Sequence, residues 1–289
     1  MADSKPEERR FKPGLSHLYP VILSLGITGV LGYPILSPAI ETTRVTPFSG
    51  DTFSGASLNA LYFVAALGIT ATAMLVLVRR GKLSLLKQFV KVAVVFVCFT
   101  VTLWYISIVL SLLPITISDS VALDVTLALS VAVALVLGYF VFGKGKNRQL
   151  AGVILLSSLT GVFLGRNIPT LTVLILSGAL VIYDIVAVFR GPVGALARTM
   201  EVGDLPGAMF NYKELTIGMG DMVFYSLLAM TAEAGFGPLS FLGAGIGIVG
   251  GTFLGFKALQ RYEMFPGLPF SLLLGIAGMF AGWQIPLLL

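Results

Sequence analysis

The sequence has very few residues suited to metal binding or redox chemistry. Among 289 residues there is one histidine, His17, and one cysteine, Cys98. A single cysteine cannot form a disulfide within the chain, and we expect Cys98 to be a buried structural thiol. One histidine and one cysteine are too few for the usual zinc sites. We therefore predict no metal and no other cofactor.

Charged residues are also scarce. They make up 11% of the chain, whereas hydrophobic residues make up 56%. This charged share is about half that of an ordinary soluble domain, so the composition excludes a soluble protein. It indicates a chain embedded in membrane lipid. In such a chain the basic residues behind the net charge of +5 set the orientation in the membrane and do not indicate nucleic-acid binding.

Long apolar runs recur along the whole chain. A helix needs about 20 such residues to cross a hydrocarbon core of about 30 Å. We predict spans 1 to 9 near 17–37, 57–78, 90–114, 120–142, 150–165, 168–189, 215–233, 236–258 and 265–288. The fold class is therefore an all-α polytopic membrane protein with nine transmembrane helices, forming a single membrane-embedded domain over residues 1–289. In span 8, Gly243, Gly247, Gly251 and Gly255 predict a close contact with another helix.

The basic residues predict the orientation in the membrane. Of the 19 lysines and arginines, only Arg44 and Arg166 lie in connections on one side, and the others lie on the side of the amino-terminal tail. Because basic residues concentrate in cytoplasmic connections, we predict a cytoplasmic N-terminus and an external C-terminus. In a prokaryote this would be an integral, multi-pass protein of the cell membrane.

Four acidic residues lie within the predicted spans. Asp124 and Glu233 are close to the external ends of spans 4 and 7, where we expect solvated side chains. Asp184 and Asp221 lie deeper, about 9 Å and about 12 Å from the cytoplasmic ends of spans 6 and 7. A charge there costs on the order of 3 kcal/mol, so two carboxylates at nearly matched depth indicate a functional site.

Small residues surround both aspartates. Asp184 shares a helix face with Ser177, Leu180 and Ala187, while Gly218 and Gly220 precede Asp221. We expect these glycines to let another backbone approach closely. If the carboxylates meet, they cannot both ionise easily and would share a proton. One would be the general base that takes a proton from water, and the other would be the general acid. Because a coupled pair titrates as a unit, neither role is assigned to a particular aspartate.

A third unusual element opens span 9. Pro266 and Pro269 leave backbone groups without helical partners. Irregular backbone at membrane depth is tolerated only where it faces protein or water, so we expect this segment to line a cavity or to pack against other helices.

Together these motifs resemble those of the presenilin and signal peptide peptidase family of intramembrane aspartyl proteases. They are Tyr183-Asp184 on span 6, Gly218-Met219-Gly220-Asp221 on span 7 and Pro266-Gly267-Leu268-Pro269 on span 9. Each motif alone is common, but their order and their placement make the combination specific. The predicted orientation is similar to that of presenilins and opposite to that of signal peptide peptidases.

The resemblance implies a presenilin-like fold in which residues 1–166 form a scaffold and residues 167–289 carry the catalytic helices. It implies that Asp184 and Asp221 are the catalytic pair. Pro266, Gly267 and Leu268 would shape the site and position a substrate, with Tyr183, Gly218 and Gly220 in support. The substrates would be transmembrane helices that enter sideways from the membrane lipid and unwind before hydrolysis.

Two features depart from the family pattern. Gly267 replaces the alanine of Pro-Ala-Leu, which we expect to preserve its role while adding backbone freedom. The connection 191–214 is short beside that of animal presenilins, which argues against autocleavage and against obligatory partner subunits. The chain thus resembles a microbial, archaeal-type homologue acting alone. Its natural substrate, cleavage position and oligomerisation stay open, as does the choice between a mobile flap and a plain connection for residues 191–214.

The same residues exclude two other kinds of intramembrane protease. A rhomboid-type serine protease needs a histidine base deep in the membrane, and His17 lies at the start of span 1. A site-2-type metalloprotease needs an HExxH motif, which the sequence lacks. The remaining alternative is a proton-coupled transporter or leak channel that uses the same carboxylates.

The topology can be tested with single cysteines in a Cys98→Ser background. We expect Arg79→Cys and Arg198→Cys to react with a membrane-impermeant thiol reagent only from the cytoplasmic side, because both lie in basic connections. Arg44→Cys is the control that should react from outside. External labelling of Arg198→Cys would contradict the placement of both aspartates near one membrane face.

Overall fold

The computed structural model describes residues 13–37, 40–114, 118–143, 145–199, 207–262 and 264–288. Most of the predicted basic tail, namely residues 1–12, lies outside these ranges, as do residues 200–206 of the connection 191–214.

The described chain is almost entirely helical. Helix α1 spans Tyr19–Gly32. A 3₁₀ turn at Leu15–Leu18 precedes it, and another at Tyr33–Leu36 follows it. The other helices are α2 Phe53–Arg79, α3 Leu83–Ser111, α4 Asp119–Val141, α5 Lys146–Asn167, α6 Thr170–Phe189, α7 Pro192–Thr199, α8 Met219–Phe236, α9 Pro238–Ala258 and α10 Leu268–Leu288. Strands β1 Met209–Tyr212 and β2 Leu215–Gly218 form an antiparallel hairpin before α8.

Eight helical segments of the described chain are long and apolar enough to cross a membrane. They confirm a multi-pass helical membrane protein, although they do not confirm the count of nine. Helix α8, with 18 residues, is not among the eight. It carries Asp221 and Glu233, whose charges lower its mean hydropathy.

The predicted start of span 7 is wrong. Residues 215–218, which were assigned to that span, form strand β2, in which buried Leu215 and Ile217 alternate with exposed Thr216. This period of two is typical of a half-buried strand. The helix begins only at Met219, so Asp221 lies in its first turn and not about 12 Å into a helix.

Helix α8 lies at the centre of the bundle. Every residue from Tyr225 to Ala232 is buried, against α1, α5, α9 and α10. Three buried serines join α8 to two neighbours: the Ser24 hydroxyl on α1 lies 2.9 Å from that of Ser158 on α5 and 3.1 Å from that of Ser226 on α8. Hydroxyl contacts of this kind hold helices together where lipid offers no hydrogen-bond partner.

Glycines set the closest helix contacts. On α9, Gly243, Gly247 and Gly251 face the backbone carbonyl oxygens of α10, which confirms the predicted close contact at three of its four positions. Gly255 has open space instead and lines a cavity. Gly161 of α5 packs against the backbone and side chain of Ser226 on α8.

The α5–α8 contact yields a stability prediction. Gly161→Ala should lower the unfolding free energy by about 1–3 kcal/mol, because a new Cβ would overlap Ser226 and Leu227 and force the helices apart. Gly178→Ala on α6 is the matched control, since its Cβ would enter open space and alanine favours the helix. Thermal unfolding in detergent measures both, and equal midpoints for the two variants would contradict the packing argument.

Candidate active site

Asp184 lies on the inner face of α6. Ser177, Leu180 and Ala187, which share that face, are all buried, as the sequence spacing predicts. The Asp184 Oδ2 atom accepts a hydrogen bond of 2.9 Å from the Leu268 N–H. This N–H is at the start of α10, where the first amides of a helix lack intrahelical partners and the helix dipole favours an anion.

Asp221 approaches the same backbone from α8. A Cβ built on Gly267 would lie 2.7 Å from Asp221 Oδ2 and 3.3 Å from its Cγ. One carboxylate therefore lies against Leu268 and the other against Gly267. The structure thus brings the two predicted aspartates to the same short stretch of backbone.

The proline segment before α10 is irregular and well anchored. Pro266, Leu268 and Pro269 are buried. The Phe265 ring stacks on Phe270 at 5.5 Å and meets Phe189 of α6 edge-on at 6.4 Å, measured between ring centroids. The segment was expected to line a cavity or to pack against other helices, and it does both: Phe265, Pro266 and Gly267 line a cavity, and Phe265 contacts α6.

That cavity adjoins Asp221 and has a volume of about 90 Å³. Its polar lining comes from Asp221, Thr216 of β2, Tyr225 of α8 and Thr252 of α9. A buried water needs only about 10–15 Å³ of such space and two to four polar partners. The cavity can therefore hold several waters beside the carboxylate.

A chain of hydroxyl groups borders the site, and sequence reasoning missed it. The Tyr225 hydroxyl donates to the Gly267 carbonyl oxygen at 3.1 Å, and the Ser271 hydroxyl donates to Tyr225 at 3.1 Å. Thr252 on α9 lies 3.1 Å from Ser271. The available signal was the spacing of Tyr225, four residues after Asp221 and so on the same helix face.

The hairpin holds the start of α8. The Met219 N–H donates to the Ala208 carbonyl oxygen at 2.9 Å. In the hairpin turn, the Glu214 carboxylate accepts a hydrogen bond from His17 Nε2 at 3.1 Å, and this bond lowers the pKa of Glu214. His17 thus ties the turn before α1 to the hairpin that precedes Asp221.

Gly218 and Gly220, which precede Asp221, do not have the expected role in packing. A Cβ on Gly220 would meet nothing within 4 Å, and one on Gly218 would lie 3.7 Å from Asp221 Oδ2, an ordinary contact. Gly218 also ends β2 and is not part of the helix. The close backbone approach to Asp221 occurs at Gly267 instead.

Tyr183 lies beside an open apolar groove. A Cβ on Gly68 of α2 would be 3.7 Å from the Tyr183 ring. The groove, of about 790 Å³, is lined by α2 residues that include Ala65, Gly68, Thr72 and Ala73. The other lining residues, Ile69, Val76 and Leu77, are larger. Small residues favour helix contacts in membranes.

The other two intramembrane acids lie apart from this site. Asp124 is exposed, as expected for the end of a span. Glu233 differs from that expectation, because its Oε2 atom is buried and has no hydrogen-bond partner among the described residues. A Cβ on Gly32 of α1 would lie 3.4 Å from this atom.

The fold and the site together define a multi-pass helical membrane protein with an aspartate pair held between two helix starts. Two crystal structures of a presenilin family intramembrane aspartate protease resemble it over nearly their whole length. The one in space group C222 is 20% identical, covers 93% of this chain and 97% of its own, and has a TM-score of 0.62. The one in space group P2 is 24% identical, covers 95% of this chain and 98% of its own, and has a TM-score of 0.61.

The chain therefore has the presenilin-type fold that its motifs imply. No protein-family model and no curated protein matches the sequence.

The Gly267 contact predicts a specific effect of restoring the alanine of the Pro-Ala-Leu pattern. Gly267→Ala should displace the Asp221 carboxylate and lower cleavage of a fluorogenic transmembrane peptide by about ten- to a hundredfold, since misplacing a reacting group by about 1 Å is that costly. Gly250→Ala on α9, whose Cβ would meet open space, is the control. Wild-type rates in Gly267→Ala would show that Asp221 tolerates the methyl group.

Proposed function

We propose that this protein is an intramembrane aspartyl protease that hydrolyses peptide bonds within transmembrane helices. The observation that carries the proposal is the convergence of two carboxylates on one peptide unit. Asp184 Oδ2 accepts the Leu268 N–H, while Asp221 Oδ2 lies beside the Gly267 Cα. This arrangement occurs in a presenilin-type fold, whose solved examples are intramembrane aspartate proteases.

The chemistry follows from two like charges at close range. Two neighbouring carboxylates retain one proton between them, so one is an acid while the other is a base. The base takes a proton from water, whose oxygen attacks the carbonyl carbon of the substrate, and the acid protonates the carbonyl oxygen. When the tetrahedral intermediate collapses, the C–N bond breaks and a carboxyl group returns a proton to the leaving nitrogen.

Water reaches this site by way of the cavity beside Asp221. Its polar lining includes Thr216, Tyr225 and Thr252. Hydrolysis consumes one water per cleaved bond, so a reservoir next to one carboxylate of the pair supports a hydrolase. Val21 of α1 also lines this cavity, so the scaffold half, residues 1–166, contributes to the site formed by residues 167–289.

The substrate would approach through the lipid as a helix. Peptide bonds inside an intact helix are hydrogen-bonded along its axis and must be exposed before hydrolysis. The groove on α2 beside Tyr183 supports lateral approach, because four of its seven lining residues are small and let helices come close. The irregular backbone next to both carboxylates would then position the unwound substrate. It is formed by Pro266, Gly267 and Leu268, with Gly218 and Gly220 nearby at the start of α8.

The orientation and the assembly belong to the same proposal. The basic connections favour a cytoplasmic N-terminus, an external C-terminus and an aspartate pair near the cytoplasmic face. The site is assembled from one chain, which supports activity without obligatory partner subunits.

The decisive experiment is cleavage of a fluorogenic transmembrane peptide by purified protein in liposomes. Asp184→Ala and Asp221→Ala should each reduce the rate to background, because neither carboxylate can act alone as both acid and base. Asp124→Ala is the matched control, since it removes an exposed acid from another span and should leave the rate unchanged. Folding is checked by thermal unfolding.

One result would replace the proposal with the transporter alternative. That result is a folded wild-type protein that cleaves none of several peptides but carries a proton or ion flux, which Asp184→Ala and Asp221→Ala abolish. Cleavage that survives either substitution would also refute the aspartate pair.

A further inference from the structure

The Gly267–Leu268 peptide unit is held at both of its polar ends. Its N–H, contributed by Leu268, donates to the Asp184 carboxylate at 2.9 Å. Its carbonyl oxygen, contributed by Gly267, accepts from the Tyr225 hydroxyl at 3.1 Å and lies 3.0 Å from the Ser271 hydroxyl. A peptide unit is planar, so fixing its oxygen also fixes the direction of its N–H.

The donors form a connected and directed chain. Each hydroxyl group has one hydrogen to donate. Tyr225 can give its hydrogen to the Gly267 oxygen while Ser271 gives its own to the Tyr225 oxygen at 3.1 Å. Thr252 of α9 lies 3.1 Å from Ser271, while its own hydroxyl donates to the Ile248 carbonyl oxygen at 2.8 Å. The donors to the Gly267 carbonyl group thus come from two helices, α8 and α10.

The hydroxyl groups of this chain are buried, so the loss of their hydrogen bonds is costly. Tyr225, Thr252 and Ser271 are at most 5% exposed. A buried hydroxyl without a partner loses its hydration and gains nothing, so such groups stabilise the geometry that pairs them. The segment needs this support because Gly267 has no side chain to restrict its backbone.

We propose that Tyr225 and Ser271 are positioning residues of the aspartate site. Their hydroxyl groups clamp the Gly267 carbonyl oxygen and thereby direct the Leu268 N–H at Asp184. The kinetic consequence rests on the proposed protease function, whereas the clamp itself is a property of the folded protein that can be measured without substrate.

Hydrogen exchange measures the clamp directly. Proline has no amide hydrogen, so within residues 266–269 only Gly267 and Leu268 exchange. In the full-length protein in detergent, the double variant Tyr225→Phe/Ser271→Ala should exchange these amides about tenfold faster, the effect of losing one buried hydrogen bond. Either single variant should give a smaller increase, because each leaves the other donor in place.

A matched control separates the clamp from a general loss of stability. Tyr105→Phe/Ser157→Ala also removes one phenol and one serine hydroxyl, which donate to the carbonyl oxygens of Leu31 and Val153 away from the site. This variant should leave exchange in residues 266–269 unchanged. Asp184→Ala removes the acceptor of the Leu268 N–H and is the positive control.

Kinetics on a fluorogenic transmembrane peptide give the second readout. The Tyr225→Phe/Ser271→Ala variant should lower kcat by about tenfold with KM within about twofold, because the clamp orients a catalytic carboxylate and does not bind the substrate. The control double variant should retain both constants. If the Tyr225 and Ser271 double variant does not fold, Tyr225→Phe alone supplies both readouts with smaller changes.

The outcomes distinguish the clamp from the proposed function. Unchanged exchange in folded Tyr225 and Ser271 variants overturns the clamp, and faster exchange with unchanged kcat overturns the positioning role. If the wild type cleaves no peptide but the variants still exchange faster in residues 266–269, the protease proposal fails while the clamp stands.

Discussion

The arrangement of this protein depends on bringing two carboxylates to one backbone segment inside a bundle of apolar helices. Burying one isolated charge among apolar helices has a high free-energy cost, and burying two like charges close together costs more. Helix starts reduce this cost, because their first N–H groups have no partners within the helix and carry partial positive charge. Asp184 meets the start of α10, and Asp221 lies in the first turn of α8. Both helices must therefore begin at the depth of the site, and the chain before each must be irregular.

The surrounding structure keeps these two helix starts in place. Before α8, the β-hairpin ends at Gly218, with its turn bonded to His17 and its Ala208 carbonyl capping Met219. Before α10, the aromatic ring of Phe265 anchors the proline segment to α6 and α10. Glycine contacts between α9 and α10 and serine contacts among α1, α5 and α8 then fix the helices relative to one another. The depth of the site is thus a property of the packing of the whole bundle.

Much of this could be predicted from the sequence, since its strongest signals are apolar runs and the few charges that interrupt them. Asp184, Asp221 and the proline segment stood out because each is costly in lipid. The hairpin did not, because Leu215 and Ile217 read as a continuation of the apolar run that follows. The hydroxyl chain was equally hidden: Thr252 and Ser271 resemble ordinary small residues of membrane helices, and their contacts join residues far apart in sequence. Pairwise geometry of this kind requires the folded chain.

Gly267 joins the two least predictable features of the site. From the sequence alone, glycine in place of alanine predicts a gain in backbone freedom. The structure gives this glycine a steric reason, since a methyl group would lie 2.7 Å from Asp221 Oδ2. The closer approach of Asp221 has a cost, because glycine leaves the peptide unit that contacts Asp184 poorly restrained. The hydroxyl groups that bond its carbonyl oxygen offset that freedom from outside the segment. A site with glycine here should therefore depend more on its hydroxyl donors than one with alanine.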